Sequence, residues 1–261
     1  MFVNLRRAIV LTVSEVVACG RRVCAPRPGL RILLYHAIGS PAMGDTRGLF
    51  SVRLENFEQQ MDDLLEWYAG RVVGLNPDLR IESEPQVAIT FDDGYADNLA
   101  VAAPILVERG LPFTVYVTSE FVRSSRQGFL TPPGLRELAA MPGVHIGAHG
   151  ATHVALSECD DTQLLDELHS SKCYLEDTIG REVATMAYPY GAADRRVRHA
   201  VVAAGYRLAV SSYATVNDVQ RDPLMLGRTE VQGGDSLRVF RQKLHGDWDW
   251  YRWRTKDPAT L

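Results

Sequence analysis

The feature that most constrains the fold is a series of short apolar runs of strand length. Six such runs, rich in Val, Ile, Tyr and Thr, are RILLYHA (31–37), QVAITF (86–91), FTVYVTS (113–119), VHIGAH (144–149), VATMAY (183–188) and YRLAVSS (206–212). Uniformly apolar strands are typical of a sheet that is covered on both faces. Helix-like segments lie between most of the runs, so the strands are predicted to be mostly parallel.

Helical periodicity appears in the segments 56–69, 97–110, 161–180 and 194–205, the last three of which end at a glycine. Glycine is a common C-terminal stop for a helix. Six or seven strand–helix units without a glycine-rich phosphate loop favour a closed or nearly closed α/β barrel over an open nucleotide-binding sheet. The pattern predicts one barrel domain over residues 26–261.

Composition excludes some classes of function. The chain has 261 residues, of which 46% are hydrophobic and 23% charged, with a formal net charge of −4. A nucleic-acid-binding protein is expected to carry a basic footprint, which is missing here. The four cysteines form no C-x-x-C pair and are predicted to be reduced thiols: Cys19, Cys24, Cys159 and Cys173.

Residues 1–25 are predicted to form an amphipathic N-terminal helix. Apolar residues recur there at helical spacing, with arginines around them: Leu5, Ile9, Val13 and Val16. Such a helix suits docking on the domain or peripheral contact with a membrane surface. Basic residues are followed by an apolar stretch and then by small residues, which is the layout of a secretory signal. A cleaved signal peptide is therefore a third alternative. The expected location is the cytoplasm, with peripheral attachment to the inner face of the membrane.

Two adjacent acids stand where one of the buried runs ends. Asp92 and Asp93 follow AITF and precede Gly94. Like charges in contact each raise the free-energy cost of ionising the other, and burial adds to that cost. Such a pair is stable beside a cation, and the sequence therefore predicts one at this strand end.

Two histidines supply the remaining ligands for such a cation. His149 follows the run VHIGA, and His153 comes four residues later. Side chains at i and i+4 of a helical turn lie close enough to converge on one ion. One carboxylate with two imidazoles leaves coordination positions open, as a catalytic metal site requires. The expected cofactor is a divalent metal, with Zn²⁺ as the first choice.

The motifs TFDDG, HGATH and YPYG, in this order and at these separations, resemble those of the polysaccharide deacetylases, carbohydrate esterases of the NodB-homology group. The resemblance covers roughly residues 30–245. It implies a distorted, incomplete (β/α)7-type barrel and metal-dependent removal of the acetyl group from an N-acetylated sugar. The short motif set and the stretch LLYHAIG are similar to the branch that acts on poly-N-acetylglucosamine and surface glycans.

The resemblance also implies roles for individual residues. Asp92 corresponds to the catalytic base and Asp93 to a metal ligand. His149 and His153 correspond to the other two metal ligands. The backbone N–H of Tyr190 corresponds to a donor of the oxyanion hole.

Departures from the family pattern leave the general acid open. Many members have an arginine that opens the third motif and orients the base, whereas this chain reads MAYPYG. The late motif that carries the acid histidine has no clear counterpart, and the corresponding stretch 224–231 contains Arg228. His36 is the first candidate for the acid and Asp92, once protonated, is the second; a purely structural role is the alternative for His36. Tyr188, Pro189 and Arg228 are predicted to bind substrate.

Three functions remain on the sequence alone. The first is N-deacetylation of a surface glycan or its precursor. The second is hydrolysis of another amide, such as a formamido group on a lipid-linked amino sugar. The third is a catalytically silent barrel that binds glycans.

Overall fold

The computed structural model describes residues 11–15, 27–250 and 256–260. Its strands are β1 (Gly29–Tyr35), β2 (Ala37–Ile38), β3 (Ser51–Val52), β4 (Pro85–Phe91), β5 (Phe113–Val117), β6 (Val144–Ala148), β7 (Thr185–Ala187), β8 (Leu208–Val210) and β9 (Thr229–Glu230). Seven of them form one sheet in the order β8-β7-β6-β5-β4-β1-β9, while β2 and β3 pair separately. All pairings in the seven-stranded sheet are parallel. This confirms the α/β class and the distorted, incomplete (β/α)7 barrel.

The seventh strand was not among the six predicted, and it helps to close the barrel. β9 pairs with β1, placing Thr229 beside Leu33. The residues just before β9 reach the opposite edge of the sheet, where Leu226 forms a parallel bridge to Val210 of β8. The amide of Ser211 also donates to the carbonyl of Leu226 at 2.7 Å. The segment 226–230 therefore spans the gap between the two edge strands.

Seven α-helices surround the sheet within residues 27–250. They are α1 (Leu54–Trp67), α2 (Ala103–Glu108), α3 (Ser119–Arg123), α4 (Pro132–Ala140), α5 (Asp161–Ile179), α6 (Arg195–Ala203) and α7 (Leu237–His245). A five-residue π-helical segment, Asn98–Ala102, leads into α2. The four predicted helices correspond to α1, to the π-helix with α2, to α5 and to α6.

Two apolar layers lie on the two faces of the sheet. Alternate strand residues such as Ile32, Ala88 and Tyr116 belong to the cluster inside the barrel. Their neighbours, such as Leu33 and Ile89, pack with the helices in the larger outer cluster. Successive side chains of a strand point to opposite faces, so uniformly apolar strands serve both layers.

The N-terminal prediction falls mostly outside the described residues. Residues 11–15 are helical. Ser14 is fully buried, and Trp250 Nε1 donates to its hydroxyl at 3.2 Å. This short piece therefore lies against the domain, and membrane contact stays a prediction. Within the described ranges, no helix has the length and apolar character needed to cross a bilayer.

Candidate active site

The chemically active residues follow the carboxyl ends of neighbouring strands. Asp92 extends the hydrogen-bond ladder beyond β4, because its amide donates to the carbonyl of Tyr35 at 2.9 Å. His149 does the same beyond β6, where its amide donates to Val117 at 2.9 Å. Carboxyl ends of parallel strands meet at one rim of a barrel, so these side chains converge.

Asp93, His149 and His153 form the only three-residue cluster of potential metal ligands found among the described residues, with their ligand atoms within 4.8 Å of one another. Asp93 Oδ1 lies 3.2 Å from His153 Nε2 and 3.6 Å from His149 Nε2. The structure thus brings together the three residues that the sequence predicted as ligands. One oxygen and two nitrogens form a donor set typical of a catalytic zinc site.

The details of this cluster fit a bound cation. Asp93 Oδ1 is buried and accepts no hydrogen bond from the described residues, although burying a polar atom without a partner costs free energy. His149 Nδ1 lies 2.9 Å from the carbonyl oxygen of Ala187. A carbonyl can only accept, so Nδ1 carries the proton and the lone pair of Nε2 faces the cluster. Metal-ligating histidines are usually oriented by such a bond.

The prediction that the two histidines share a helical turn was wrong. His149 and His153 are joined by a tight loop after β6, in which Gly150 has φ 72° and His153 has φ 65°. Asp93 (φ 72°) and Tyr190 (φ 58°) also adopt left-handed conformations. A left-handed conformation costs an L-residue about 1–2 kcal/mol. Such strain clusters at functional sites, and here it occurs at two members of the Asp93–His149–His153 cluster and at Tyr190 beside it.

Asp92 is held by a buried arginine. Arg228 Nη1 and Nη2 each donate to one carboxylate oxygen of Asp92 at 2.7 Å. Arg228 is 1% exposed, and its Nε donates to the carbonyl of Ser211 at 3.0 Å. It comes from the segment that closes the barrel, rather than from the motif in which the family usually has an arginine. Asp92 Oδ2 lies 3.7 Å from His149 Nε2, so the second acid borders the ligand cluster.

The charges of the site are set by burial and by these neighbours. Burial raises the pKa of Asp92, but the Arg228 guanidinium together with the imidazoles of His149 and His36 outweighs it, and the net shift is downward. Burial also opposes ionisation of Asp93, yet the rings of His153 and His149 lower its pKa to about 2. Desolvation lowers the pKa of His149, which favours its neutral, ligating form. At His153 burial lowers the pKa, but the contact with Asp93 together with the charges of Asp92 and Glu167 outweighs burial and raises the pKa.

His36 stands beside the two acids at the end of β1. Its charge would lower the pKa of both Asp92 and Asp93. Its Nδ1 is buried and accepts or donates no hydrogen bond within the described part of the chain. The ring packs against Phe50 at 4.8 Å between centroids. His36 therefore lies near the reacting groups with one nitrogen still unused.

In the third motif, YPYG, the two residues predicted to bind substrate are buried. Tyr188 is fully buried and donates its hydroxyl to the carbonyl of Leu224 at 2.8 Å, and Pro189 is also buried. These positions argue against a direct substrate contact by the Tyr188 and Pro189 side chains. The same holds for Arg228, which is occupied by Asp92. Tyr190 is 69% exposed, with its ring 4.7 Å from that of His153.

Sequence reasoning missed two residues that organise this rim. It did not pair Arg228 with Asp92, although a lone arginine within LMLGRTEV is a signal of a buried charge with a partner. It also missed Glu167 of α5, which binds the loop between the two histidines. No sequence pattern indicates that contact.

Comparison with known proteins agrees with this geometry. Residues 80–209 match the family profile described as polysaccharide deacetylase. The chain is 26% identical over 216 residues to YxkH of Bacillus subtilis, a provisional polysaccharide deacetylase. The match covers 81% of this chain and 74% of that protein.

Solved structures share the fold. The deacetylase PplD of Streptococcus pyogenes, in complex with acetate, superposes with a TM-score of 0.73 at 23% identity, covering 84% of this chain and 99% of PplD. IcaB from Ammonifex degensii gives a TM-score of 0.66 at 20% identity, covering 85% of this chain and 98% of IcaB. The profile match spans the strand ends that carry Asp92, Asp93, His149 and His153. The chain therefore belongs to the polysaccharide deacetylase family, hydrolases that act on the N-acetyl amide bonds of sugars.

Proposed function

We propose that this protein is a metal-dependent N-deacetylase that acts on an N-acetylated sugar of a surface glycan or of its precursor. The observation that carries the metal requirement is Asp93 Oδ1, which is buried without a hydrogen-bond partner among the described residues and faces two imidazole nitrogens. Asp93, His149 and His153 would hold the ion. A divalent cation such as Zn²⁺ supplies Lewis-acid polarisation and lowers the pKa of water at such a site.

Asp92 serves as the general base in this proposal. Its lowered pKa keeps it ionised at neutral pH, so it can accept the proton of the attacking water. Arg228 binds both oxygens, which fixes the plane of the carboxylate and leaves each oxygen a further lone pair. We assign Arg228 to positioning the base, in place of the predicted substrate contact.

The remaining steps need a donor for the oxyanion and an acid for the leaving amine. The backbone N–H of Tyr190 is the proposed oxyanion donor. Two observations support that role: Tyr190 has a left-handed backbone conformation, and its ring lies next to the His153 ring. Removal of one oxyanion donor typically costs 10²–10³ in rate.

His36 is the proposed general acid, supported by its unused Nδ1 and its position next to both acids. Asp92, once protonated, is the alternative acid.

The choice of a surface glycan depends on the sequence resemblance. The short motif set and the stretch around His36 resemble the branch that acts on poly-N-acetylglucosamine. An N-terminal helix at the membrane would bring a lipid-linked precursor within reach, and that attachment, like the cytoplasmic location, is part of the proposal.

The test is acyl release from a substrate panel. Purified protein is incubated with oligomers of N-acetylglucosamine, with N-acetylated nucleotide sugars and with lipid-linked N-acetyl sugars. Each reaction is run as purified, after chelator treatment, and after chelation followed by Zn²⁺. We expect acetate from at least one class, loss of release with the chelator, and recovery with the metal.

The other outcomes separate the alternatives. Formate release from a formamido sugar, without acetate from any substrate, would move the activity to another amide. Tight binding of oligomers with no acyl release under any of the metal conditions would identify a catalytically silent barrel that binds glycans. Undiminished acetate release from protein shown to be metal-free would remove the cation from the proposal.

A further inference from the structure

The loop between the two histidine ligands is held by a carboxylate from a distant helix. Glu167 lies in α5 and is only 5% exposed. Its Oε2 accepts hydrogen bonds from the amides of Ala151 at 2.8 Å and Thr152 at 3.0 Å. Its Oε1 accepts the hydroxyl of Thr152 at 2.5 Å. Each of these donors lies between His149 and His153 in the chain.

Burying the Glu167 carboxylate costs free energy, and here the carboxylate holds a single loop. Within the described residues no lysine or arginine forms an ion pair with Glu167, and all three of its hydrogen bonds go to this one loop. A buried charge without a counter-charge is stable only when several donors satisfy it. Two successive backbone amides aimed at one oxygen make an anion-binding nest, which meets that requirement.

The contact fixes a strained backbone. His153 has φ 65°, a conformation that costs a non-glycine residue about 1–2 kcal/mol. The two amides held by Glu167 come immediately before it in the chain. Gly150 fits the same arrangement, since a Cβ there would lie 3.0 Å from Glu167 Oε2. The carboxylate therefore stabilises the loop shape that returns His153 to within 3.2 Å of Asp93.

We infer that Glu167 is a positioning residue that presets the His149–His153 loop for metal binding. It contacts neither proposed substrate nor ligand atoms, and it acts through the backbone of Ala151 and Thr152. Its negative charge adds to the attraction of the site for a dication. The inference rests on the proposed function, because it concerns the affinity of the proposed metal site.

The test compares the zinc affinity of four proteins: wild type, Glu167→Gln, Thr152→Val and Glu176→Gln. Glu176 is the matched control, since it also lies in α5 and accepts a backbone amide, that of Val183 at 2.9 Å, away from the rim. Zinc is removed with a chelator, and the Kd for Zn²⁺ is measured by competition with a chromogenic chelator. The thermal midpoint of each metal-free protein is measured by circular dichroism.

Residues that orient ligands typically change metal affinity by 10–100-fold when mutated. We expect the Kd to rise by that factor in Glu167→Gln, to rise less in Thr152→Val, and to stay within twofold of wild type in Glu176→Gln. If Glu167 only stabilised the fold, the thermal midpoint would fall in both Glu167→Gln and Glu176→Gln, and the two variants would have the same Kd for Zn²⁺. Thr152 is exposed, so Thr152→Val remains informative if Glu167→Gln does not fold.

Two results would overturn the inference. A wild-type Kd in folded Glu167→Gln and in Thr152→Val would show that the loop is preset without the carboxylate. Such a result would leave the proposed function intact, because wild type would still bind zinc. If wild type binds no divalent metal, the proposed function fails together with this inference.

Discussion

Among the described residues, two buried arginine–aspartate pairs have similar geometry and different surroundings. On the outer face of β1, Arg31 donates to the two oxygens of Asp249 at 3.1 and 3.0 Å. Inside the barrel, Arg228 donates to the two oxygens of Asp92 at 2.7 Å each. All four side chains are less than a tenth exposed. Pairing with arginine alone therefore does not mark an active site.

The neighbours of each pair make the difference. Arg31 also donates to the hydroxyl of Thr229, and Asp249 lies 3.5 Å from Arg27, so the outer pair is surrounded by protein partners. The inner pair adjoins Asp93 Oδ1 and His36 Nδ1, two buried atoms without hydrogen-bond partners among the described residues. Unsatisfied buried atoms are destabilising in themselves. At this rim the unpartnered atoms lie beside two acids and two imidazoles, which supports the proposed metal site, whereas the outer pair has only protein partners.

The largest expected effect comes from neutralising the two aspartates separately. Asp92→Asn should lower kcat about 10²–10⁴-fold, the usual contribution of a general base, while bound zinc stays at the wild-type level. Asp249→Asn should lower the free energy of unfolding by about 3–5 kcal/mol, because it leaves Arg31 buried beside a neutral group. Denaturant titration and kcat per folded molecule measure the two effects. Equal losses of kcat in both variants would abolish the distinction between the pairs.

His36 tests whether the unused nitrogen at the rim has a chemical role. In His36→Gln, hydrolysis of an N-acetyl sugar should slow about 10²-fold or more, because an amine leaves only after protonation. Hydrolysis of 4-nitrophenyl acetate should change little, because a nitrophenolate leaves without a proton. The measurement is kcat for both substrates with zinc-loaded enzyme. Parallel losses on amide and ester would leave His36 with a structural role only.

Arginine-to-lysine changes separate geometry from charge in the two pairs. Lysine keeps the positive charge but cannot bind both carboxylate oxygens in a planar fork. Arg228→Lys should therefore lower kcat about 10–100-fold through misplacement of Asp92, with zinc affinity retained. Arg31→Lys should cost stability alone and leave kcat within about twofold of wild type. A wild-type kcat in Arg228→Lys would mean that the base needs only a nearby cation.

The sequence predicted the framework of this molecule better than its rim. Uniform apolar runs identified six of the seven strands in the main sheet, since burial on both faces leaves a signal in each strand. β9 has two residues, Thr229 and Glu230, too few to produce such a signal. The cluster of Asp93, His149 and His153 was also predicted: the strand ends and the spacing of the two histidines indicated two imidazoles with one of two adjacent acids, and the family resemblance selected Asp93.

What the sequence did not predict depends on contacts between distant parts of the chain. Arg228 and Asp92 are 136 positions apart and meet only because the barrel closes between β8 and β1. The left-handed backbone of His153 breaks the preference of its residue type, so a helical turn was the natural expectation. Such local exceptions are stabilised by tertiary contacts, and a single sequence does not show them.

Another buried aspartate, Asp97, has no arginine partner among the described residues, and its expected effect is on stability and not on kcat. Asp97 is 7% exposed and accepts hydrogen bonds from the neutral groups of Ser40 and Asn98. Burial raises the pKa of Asp97 to about 6 from an ordinary value of 3.8. The folded state therefore holds this proton over a pH range in which the unfolded state has released it. Stability from this group is present at about pH 4 and is lost as the pH rises through 6.

Replacing Asp97 with asparagine removes that titration. A shift of this size corresponds to roughly 2–3 kcal/mol. The difference in unfolding free energy between Asp97→Asn and wild type should move by that amount in favour of the variant between pH 4 and pH 7. Urea titrations across this range measure it. A difference that stays constant with pH would mean that Asp97 ionises in the fold as easily as in the unfolded chain. In that case the hydrogen bonds from Ser40 and Asn98 would fully offset the cost of burying its charge.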